Sequence, residues 1–135
     1  MTLIYLVAAQ DSYKRNSICV RAEIMINREE PVVLYRCYQA KTYKLAKMRA
    51  MIDIFSRFDF PTCESIMVYA DDEEIVWEWK DICSCDTPKG QYGGEWQELL
   101  PLLFQFSLKP HIKNTGYLTT AMRSDMKLHM QNKEF

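Results

Sequence analysis

The sequence predicts an α/β fold in which three antiparallel strands precede a crossover helix and further parallel strands, giving a five-stranded mixed sheet flanked by helices. Three observations predict this fold class. Residues 2–9 are continuously apolar, residues 17–26 alternate between apolar and other side chains, and apolar residues between 42 and 58 recur at steps of three and four. These patterns are typical of a strand covered on both faces, a half-exposed strand and an amphipathic helix, respectively.

The first forty residues predict three consecutive strands. The run from Thr2 to Ala9 suits a central strand, and residues 17–26 follow it after a polar turn. Pro31 can open a third strand at 32–39, which is rich in β-branched and aromatic residues. Because only a short polar turn separates the second and third strands, we expect them to form an antiparallel hairpin.

A helix and a fourth strand follow. Thr42 is a suitable N-cap for a helix of roughly four turns, and Pro61 marks its end. Residues 65–70 form a short apolar run that predicts a buried strand. Because a helical crossover precedes it, we expect this strand to lie parallel to a neighbour, the first strand.

The second half of the chain predicts shorter elements. In chain order they are a short helix after the acidic residues 71–74, a loop at 81–94, a helix at 95–106, an edge strand at 108–113 and a helix capped by Thr119 or Thr120 that runs to about residue 132. Pro101 is expected to kink or split the helix that contains it, because an interior proline removes a hydrogen bond.

Composition predicts a single domain over residues 1–135 and restricts its partners. The net charge is −1, so nucleic-acid binding would need a local basic patch. No apolar run is long enough for a membrane span, and the apolar N-terminus lacks the basic residues of an export signal. We therefore expect a cytoplasmic protein without a membrane partner, whose five cysteines (19, 37, 63, 83 and 85) are reduced thiols.

Three short segments carry a resemblance to a known family. Residues 67–71 are an apolar strand ending in Asp71, residues 95–99 contain a Trp-Gln pair at the start of a helix, and Asp125 follows Ile112 by thirteen residues. Together with the order of elements over about residues 2–132, these segments resemble the ribonuclease H fold. The resemblance implies phosphodiester cleavage by two magnesium ions, held by carboxylates from the first strand, first helix, fourth strand and last helix.

The sequence departs from that pattern at two of the four positions. Ala8 and Ala9 stand where the first strand should carry an aspartate, and Lys47 stands near the place of the helix glutamate. The resemblance leaves Asp71 and Asp125 as catalytic residues if the protein is active. With Asp11 as a shifted substitute they would form a residual site for Mg²⁺ or Mn²⁺. The alternative is that Asp71 caps a helix and Asp125 is an ordinary surface acid.

The resemblance favours a catalytically degenerate ribonuclease H-like domain that binds nucleic acid or a protein. Lys41, Lys44 and Lys47 lie at three-residue spacing, and this basic stripe could contact the backbone of RNA or an RNA–DNA hybrid, although such a stripe can also be merely solvated. One alternative is an active magnesium-dependent nuclease that uses Asp11, Asp71 and Asp125. Another is a regulatory protein-binding domain unrelated to nucleic acid.

Overall fold

A computed structural model describes residues 1–11, 14–61, 63–84, 93–114 and 118–131. In chain order the elements are β1 (Thr2–Gln10), β2 (Ser17–Ile26), β3 (Val32–Gln39), α1 (Tyr43–Arg57), β4 (Ile66–Ala70), α2 (Glu73–Ser84), α3 (Glu95–Phe104), β5 (His111–Lys113) and α4 (Leu118–Gln131). This order of strands and helices confirms the one that the sequence predicts.

The strands form one mixed sheet in the order β3-β2-β1-β4-β5. β2 is antiparallel to both β1 and β3, whereas β4 is parallel to both β1 and β5. Leu6 of β1 lies opposite Ala70 of β4. The apolar first strand is therefore the central one, and the predicted fold class is confirmed.

Helices cover both faces of this sheet. α1 packs on β1, β2 and β3 and against α3, whereas α4 packs on β1 and β2. Alternate residues of β1, including Ile4 and Leu6, join the core that contains Met51 of α1. Side chains of a strand alternate between its faces, so the intervening residues point toward α4, as the contact between Arg21 of β2 and Asp125 of α4 shows.

Capping side chains position the helices beside β4. Thr42 is the N-cap of α1, as predicted, and its Oγ1 accepts the Leu45 N–H at 3.2 Å. The first turn of α2 is capped by Asp72, whose Oδ1 accepts the N–H groups of Glu74 and Ile75. The cap is thus one residue later than the sequence suggested, and this leaves Asp71 available for other contacts.

The second half differs from prediction at several boundaries. α2 continues to Ser84, into the predicted loop at 81–94, while residues 85–92 lie outside the described residues. Pro101 lies inside α3, which is one helix from Glu95 to Phe104, so the split that was one of the two expected effects of Pro101 does not occur. β5 is a three-residue strand, shorter than predicted. α4 begins at Leu118, so neither threonine precedes it as a cap.

The cysteines also differ from prediction. Cys19 of β2 and Cys37 of β3 are directly opposite each other and form a disulfide, so the expectation of reduced thiols is wrong for this pair. Cys63 and Cys83 are free thiols. Within the described part of the chain, none of the helices has the length and apolar character that crossing a bilayer requires.

Candidate functional site

Asp71 lies directly after the end of β4, where helices from both faces of the sheet reach it. Lys47 of α1 places its Nζ 2.7 Å from Asp71 Oδ1, and Arg123 of α4 donates from Nη2 to Asp71 Oδ2. The Asp71 side chain is only 9% exposed. One nearly buried carboxylate is therefore paired with two cations.

Lys47 is the most unusual member of this cluster, because its side chain is only 2% exposed. Its Nζ donates to the backbone carbonyl of Asp71 at 3.3 Å and lies 3.9 Å from Asp72 Oδ2. A buried ammonium is tolerated only when oppositely charged and hydrogen-bonding groups surround it. Lys47 and Asp71 thus form a buried structural ion pair at the position where the ribonuclease H resemblance implies a carboxylate.

The first strand supplies no carboxylate beside Asp71. Continuing the register Leu6–Ala70 by one residue places Val7 opposite Asp71, and Val7 is fully buried. Ala8, which the sequence analysis singled out, lies one residue further and is also buried. All three residues that follow Leu6 are apolar, so β1 has no oxygen ligand to offer here.

Asp125 on α4 is held by a second set of partners. Its Oδ2 accepts a hydrogen bond from Arg21 Nε at 2.7 Å and another from the hydroxyl of Tyr35. These bonds, first that from Tyr35 and then that from Arg21, hold the pKa of Asp125 below its ordinary value. Arg21 also bonds Glu23 at 3.2 Å, and the ring of His129 stacks on Tyr35.

Asp11 follows the last residue of β1 and is four residues beyond Val7, the residue level with Asp71. Among the described residues, one group of at least three acidic, histidine or cysteine side chains has all its ligand atoms within 4.8 Å of one another. It consists of Asp11, Cys19 and Cys37. The structure therefore does not bring the predicted metal ligands Asp11, Asp71 and Asp125 together in one compact group.

As they stand, these residues do not fit a magnesium site. Mg²⁺ needs several oxygen ligands in near-octahedral geometry, whereas Asp71 is paired with Lys47 and Arg123 and Asp125 is paired with Arg21. A metal ion would have to displace cationic side chains. Binding of Mg²⁺ or Mn²⁺ by these aspartates stays a prediction that the geometry does not favour.

The predicted basic stripe is largely occupied by internal contacts. Lys44 Nζ lies 2.7 Å from Glu78 Oε1 and 3.1 Å from Glu74 Oε1. Burial lowers the pKa of Lys44, but the hydrogen bonds to Glu78 and Glu74 outweigh it and raise the pKa above its ordinary value. Lys47 is buried, whereas Lys41 is exposed. Of the stripe, Lys41 alone presents an exposed charge, and its nucleic-acid contact stays a prediction.

Sequence patterns did not reveal the partners of the two aspartates. Arg21, Tyr35 and Arg123 lie on three different elements, and a contact between distant elements leaves no local period in a sequence. One signal was present: Arg21 and Glu23 are charged residues on the polar side of an otherwise buried strand. Charged side chains on a buried strand predict ion pairs with another element rather than side chains that are fully exposed to solvent.

Comparison with solved structures identifies the fold. Over 90% of each chain, the protein superposes on LC11-RNase H1 in complex with an RNA/DNA hybrid, with a TM-score of 0.66 and 11% identity. RNase H1 from the halophilic archaeon Halobacterium salinarum NRC-1 gives 0.63 and 16% identity over 87% of each chain. The prototype foamy virus protease-reverse transcriptase gives 0.59 and 15% identity over 96% of this chain and 20% of that one.

Sequence comparison adds no assignment. No family model matches the chain, and no curated protein matches it. At these identities the structural likeness establishes the fold alone. The predicted assignment to the ribonuclease H-like fold is confirmed.

Proposed function

We propose that this ribonuclease H-like chain is, over residues 1–135, one catalytically degenerate module that binds RNA or an RNA–DNA hybrid without metal-dependent cleavage. The observation that carries the proposal is the buried ion pair between Lys47 and Asp71. It places a fixed positive charge against the one acidic side chain that directly follows β4, where the resemblance implies a metal ligand.

Electrostatics support the loss of metal binding. Asp71 carries one negative charge and faces the two positive charges of Lys47 and Arg123. A divalent cation approaching Asp71 would be repelled by both. Lys47 is packed inside the protein, so making room for the ion would also require moving a buried ammonium away from its partners. Breaking such a pair costs about 3–5 kcal/mol.

Exposed positive charge at this end of the sheet supports nucleic-acid binding. One solved structure of the same fold holds an RNA/DNA hybrid. In this chain Arg123 is 47% exposed beside Asp71, and Lys41 is exposed before α1. Because Lys44, Lys47 and Arg123 are all paired with carboxylates, we expect Lys41 to make the largest contribution to phosphate contact among these four cations.

The test uses a labelled RNA–DNA hybrid and single-stranded RNA, each with Mg²⁺ or Mn²⁺. Wild type, Asp71→Asn and Asp125→Asn are compared for cleavage, and binding is measured at several salt concentrations. We expect no cleavage by any of the three proteins, together with binding that weakens steeply as salt rises. Cleavage by wild type that is lost in Asp71→Asn would show an active nuclease and overturn the proposal.

Charge variants locate the binding surface. Lys41→Gln should weaken hybrid binding and reduce the salt dependence by about one phosphate contact. The matched control is Arg28→Gln, which removes an exposed charge from the turn between β2 and β3, beside the start of β1 and thus at the opposite end of the sheet from Asp71. Equal effects of both changes would show that binding is not localised at the end of the sheet that contains Asp71, and no binding by wild type would instead favour a protein partner.

A further inference from the structure

A second cluster of side chains that could bind a metal lies at the C-terminal end of β1. The carboxylate of Asp11 and the sulfurs of Cys19 and Cys37 are all within 4.8 Å of one another. Asp11 is fixed beside the start of β2, because its N–H donates to the Ser17 carbonyl at 2.9 Å. Three chain segments thus converge on one point that the site around Asp71 does not use.

The sheet itself keeps the two sulfurs together. Cys19 and Cys37 are directly opposite each other in the antiparallel pairing of β2 and β3. Side chains of directly opposed residues have Cβ atoms about 4.5–5.5 Å apart, so the two sulfurs stay neighbours when the disulfide is reduced. Cys19 is fully buried, whereas Cys37 is exposed on the edge strand. A small reductant can therefore reach the pair from the side of Cys37.

The chemistry of these three side chains determines which metal ions they can bind. Two thiolates and one carboxylate are ligands of Zn²⁺, which binds sulfur at about 2.3 Å and carboxylate oxygen at about 2.0–2.2 Å. Two sulfurs on one such ion are at most about 4.6 Å apart, so Cys19 and Cys37, whose sulfurs are bonded in the disulfide, need to move their sulfurs apart only to that distance after reduction. Three protein ligands leave a fourth tetrahedral position for water. Hard ions such as Mg²⁺ are disfavoured by the sulfurs.

We propose that reduction of the Cys19–Cys37 disulfide creates a Zn²⁺ site formed by Cys19, Cys37 and Asp11. An external dithiol supplies the electrons: its two thiols become a disulfide, the bond between the Cys19 and Cys37 sulfurs breaks, and each sulfur takes up one proton. Binding of Zn²⁺ then releases both protons, because the thiolate is the ligand. The chain therefore binds zinc only in its reduced state, and bound zinc protects the two thiols from reoxidation.

The proposal is tested by titrating oxidised and dithiothreitol-reduced protein with Zn²⁺ in competition with a chromophoric chelator, after the reductant has been removed without air. Co²⁺ is used in parallel, because thiolate ligation gives it a charge-transfer absorption band. We expect one Zn²⁺ per reduced chain and none for the oxidised chain. Zinc binding by the oxidised chain, or none by the reduced chain, would overturn the proposal.

Two variants test the ligands, and a third serves as the control. Cys37→Ser should weaken Zn²⁺ binding by more than the roughly 10–100-fold that changes around a metal site's ligands cause, and it should abolish the Co²⁺ band. Asp11→Asn should weaken binding less and keep the band. The matched control Cys63→Ser removes an exposed free thiol outside the cluster and should change neither.

Two further results would also contradict the proposal. One is unchanged zinc affinity in Cys37→Ser. The other is a reduced wild-type chain that has lost its native circular dichroism, because the site depends on β2 and β3 remaining paired. Since Cys37 lies exposed on an edge strand, replacing it with serine is expected to leave the core intact, so loss of binding in that variant reports on the ligand.

Discussion

At the scale of single residues, the site is decided by which charges are buried together. The sequence identifies Asp71 and Asp125 from their places at the end of a strand and on the last helix, and it places Lys47 near the position where the resemblance implies a glutamate. It does not predict that Lys47 is almost fully buried against Asp71. Burial turns an unfavourable neighbour for a metal into the partner that stabilises the aspartate.

The Lys47–Asp71 pair is expected to contribute strongly to stability. Lys47→Met should lower the free energy of unfolding by about 3 kcal/mol, the low end of the range for breaking a buried pair, because Arg123 still contacts Asp71. Adding Asp71→Asn should restore part of that loss, since no buried charge is then left unpaired. Urea denaturation measures all three proteins.

The control for that comparison is Lys44→Met, which removes a lysine of the same helix whose pairs with Glu74 and Glu78 are less buried. Its effect should be smaller than that of Lys47→Met, because the Lys44 side chain is more exposed than that of Lys47. If the double variant is less stable than Lys47→Met alone, the ion pair is not the cause of the loss.

Asp125 predicts a pH dependence of stability. Hydrogen bonds from Tyr35 and Arg21 lower its pKa from the ordinary value of 3.8. The unfolded chain therefore binds the proton more readily, so the stabilisation is present above pH 3.8 and is lost as the pH falls through the lower pKa of the folded state. The stability difference between wild type and Asp125→Asn should shrink over that acidic range. A difference that is constant with pH would contradict this origin.

At the scale of elements, the order of strands and helices follows from local sequence patterns, whereas the residue-by-residue register of the paired strands does not. Continuous apolarity, alternation and helical periodicity each lie within one segment and were sufficient to predict the element order. The register of the β2–β3 hairpin depends on the conformation of its turn, where Asn27 and Arg28 both adopt positive φ. Without that register, the direct pairing of Cys19 with Cys37 could not be predicted.

The disulfide is expected to stabilise the edge strand β3. It closes a loop with a sequence separation of 18 residues, and a loop of about that length contributes roughly 3 kcal/mol by restricting the unfolded chain. Reduction, or Cys37→Ser under oxidising conditions, should lower the free energy of unfolding by about that amount. Cys63→Ser serves as the control, because Cys63 is a free exposed thiol. Equal denaturation midpoints with and without reductant would show that the bond does not contribute.

At the scale of the whole molecule, the chain has the ribonuclease H-like fold, and Asp71 within it is paired with Lys47 and Arg123. The strands of the five-stranded sheet can be predicted from apolar patterns and turn residues, and both can be recognised in the sequence. The pairing of Asp71 and Asp125 with other side chains depends on contacts among β2, β3, β4, α1 and α4. These contacts form only in the folded protein and leave no local pattern in the sequence. The fold was therefore predictable, whereas the partners of Asp71 and Asp125 were not.

If Lys47 supplies the positive charge that pairs with Asp71, introducing a carboxylate at position 47 should create a response to magnesium. Wild type should show no change in Tm on addition of Mg²⁺. Lys47→Glu should be less stable than wild type without Mg²⁺, because two nearly buried carboxylates then face each other. The free energy of unfolding of Lys47→Glu should rise by about 1.4 kcal/mol when the Mg²⁺ concentration is ten times the Kd of this variant for Mg²⁺.

The matched control is Lys47→Gln, which removes the ammonium without adding a carboxylate and should not respond to Mg²⁺. Thermal unfolding followed by circular dichroism, with and without Mg²⁺ at constant ionic strength, measures all three proteins. A rise in the Tm of wild type equal to that of Lys47→Glu would mean that Asp71 binds magnesium despite Lys47. In that case the ammonium is not what separates this chain from a metal-binding ribonuclease H-like domain.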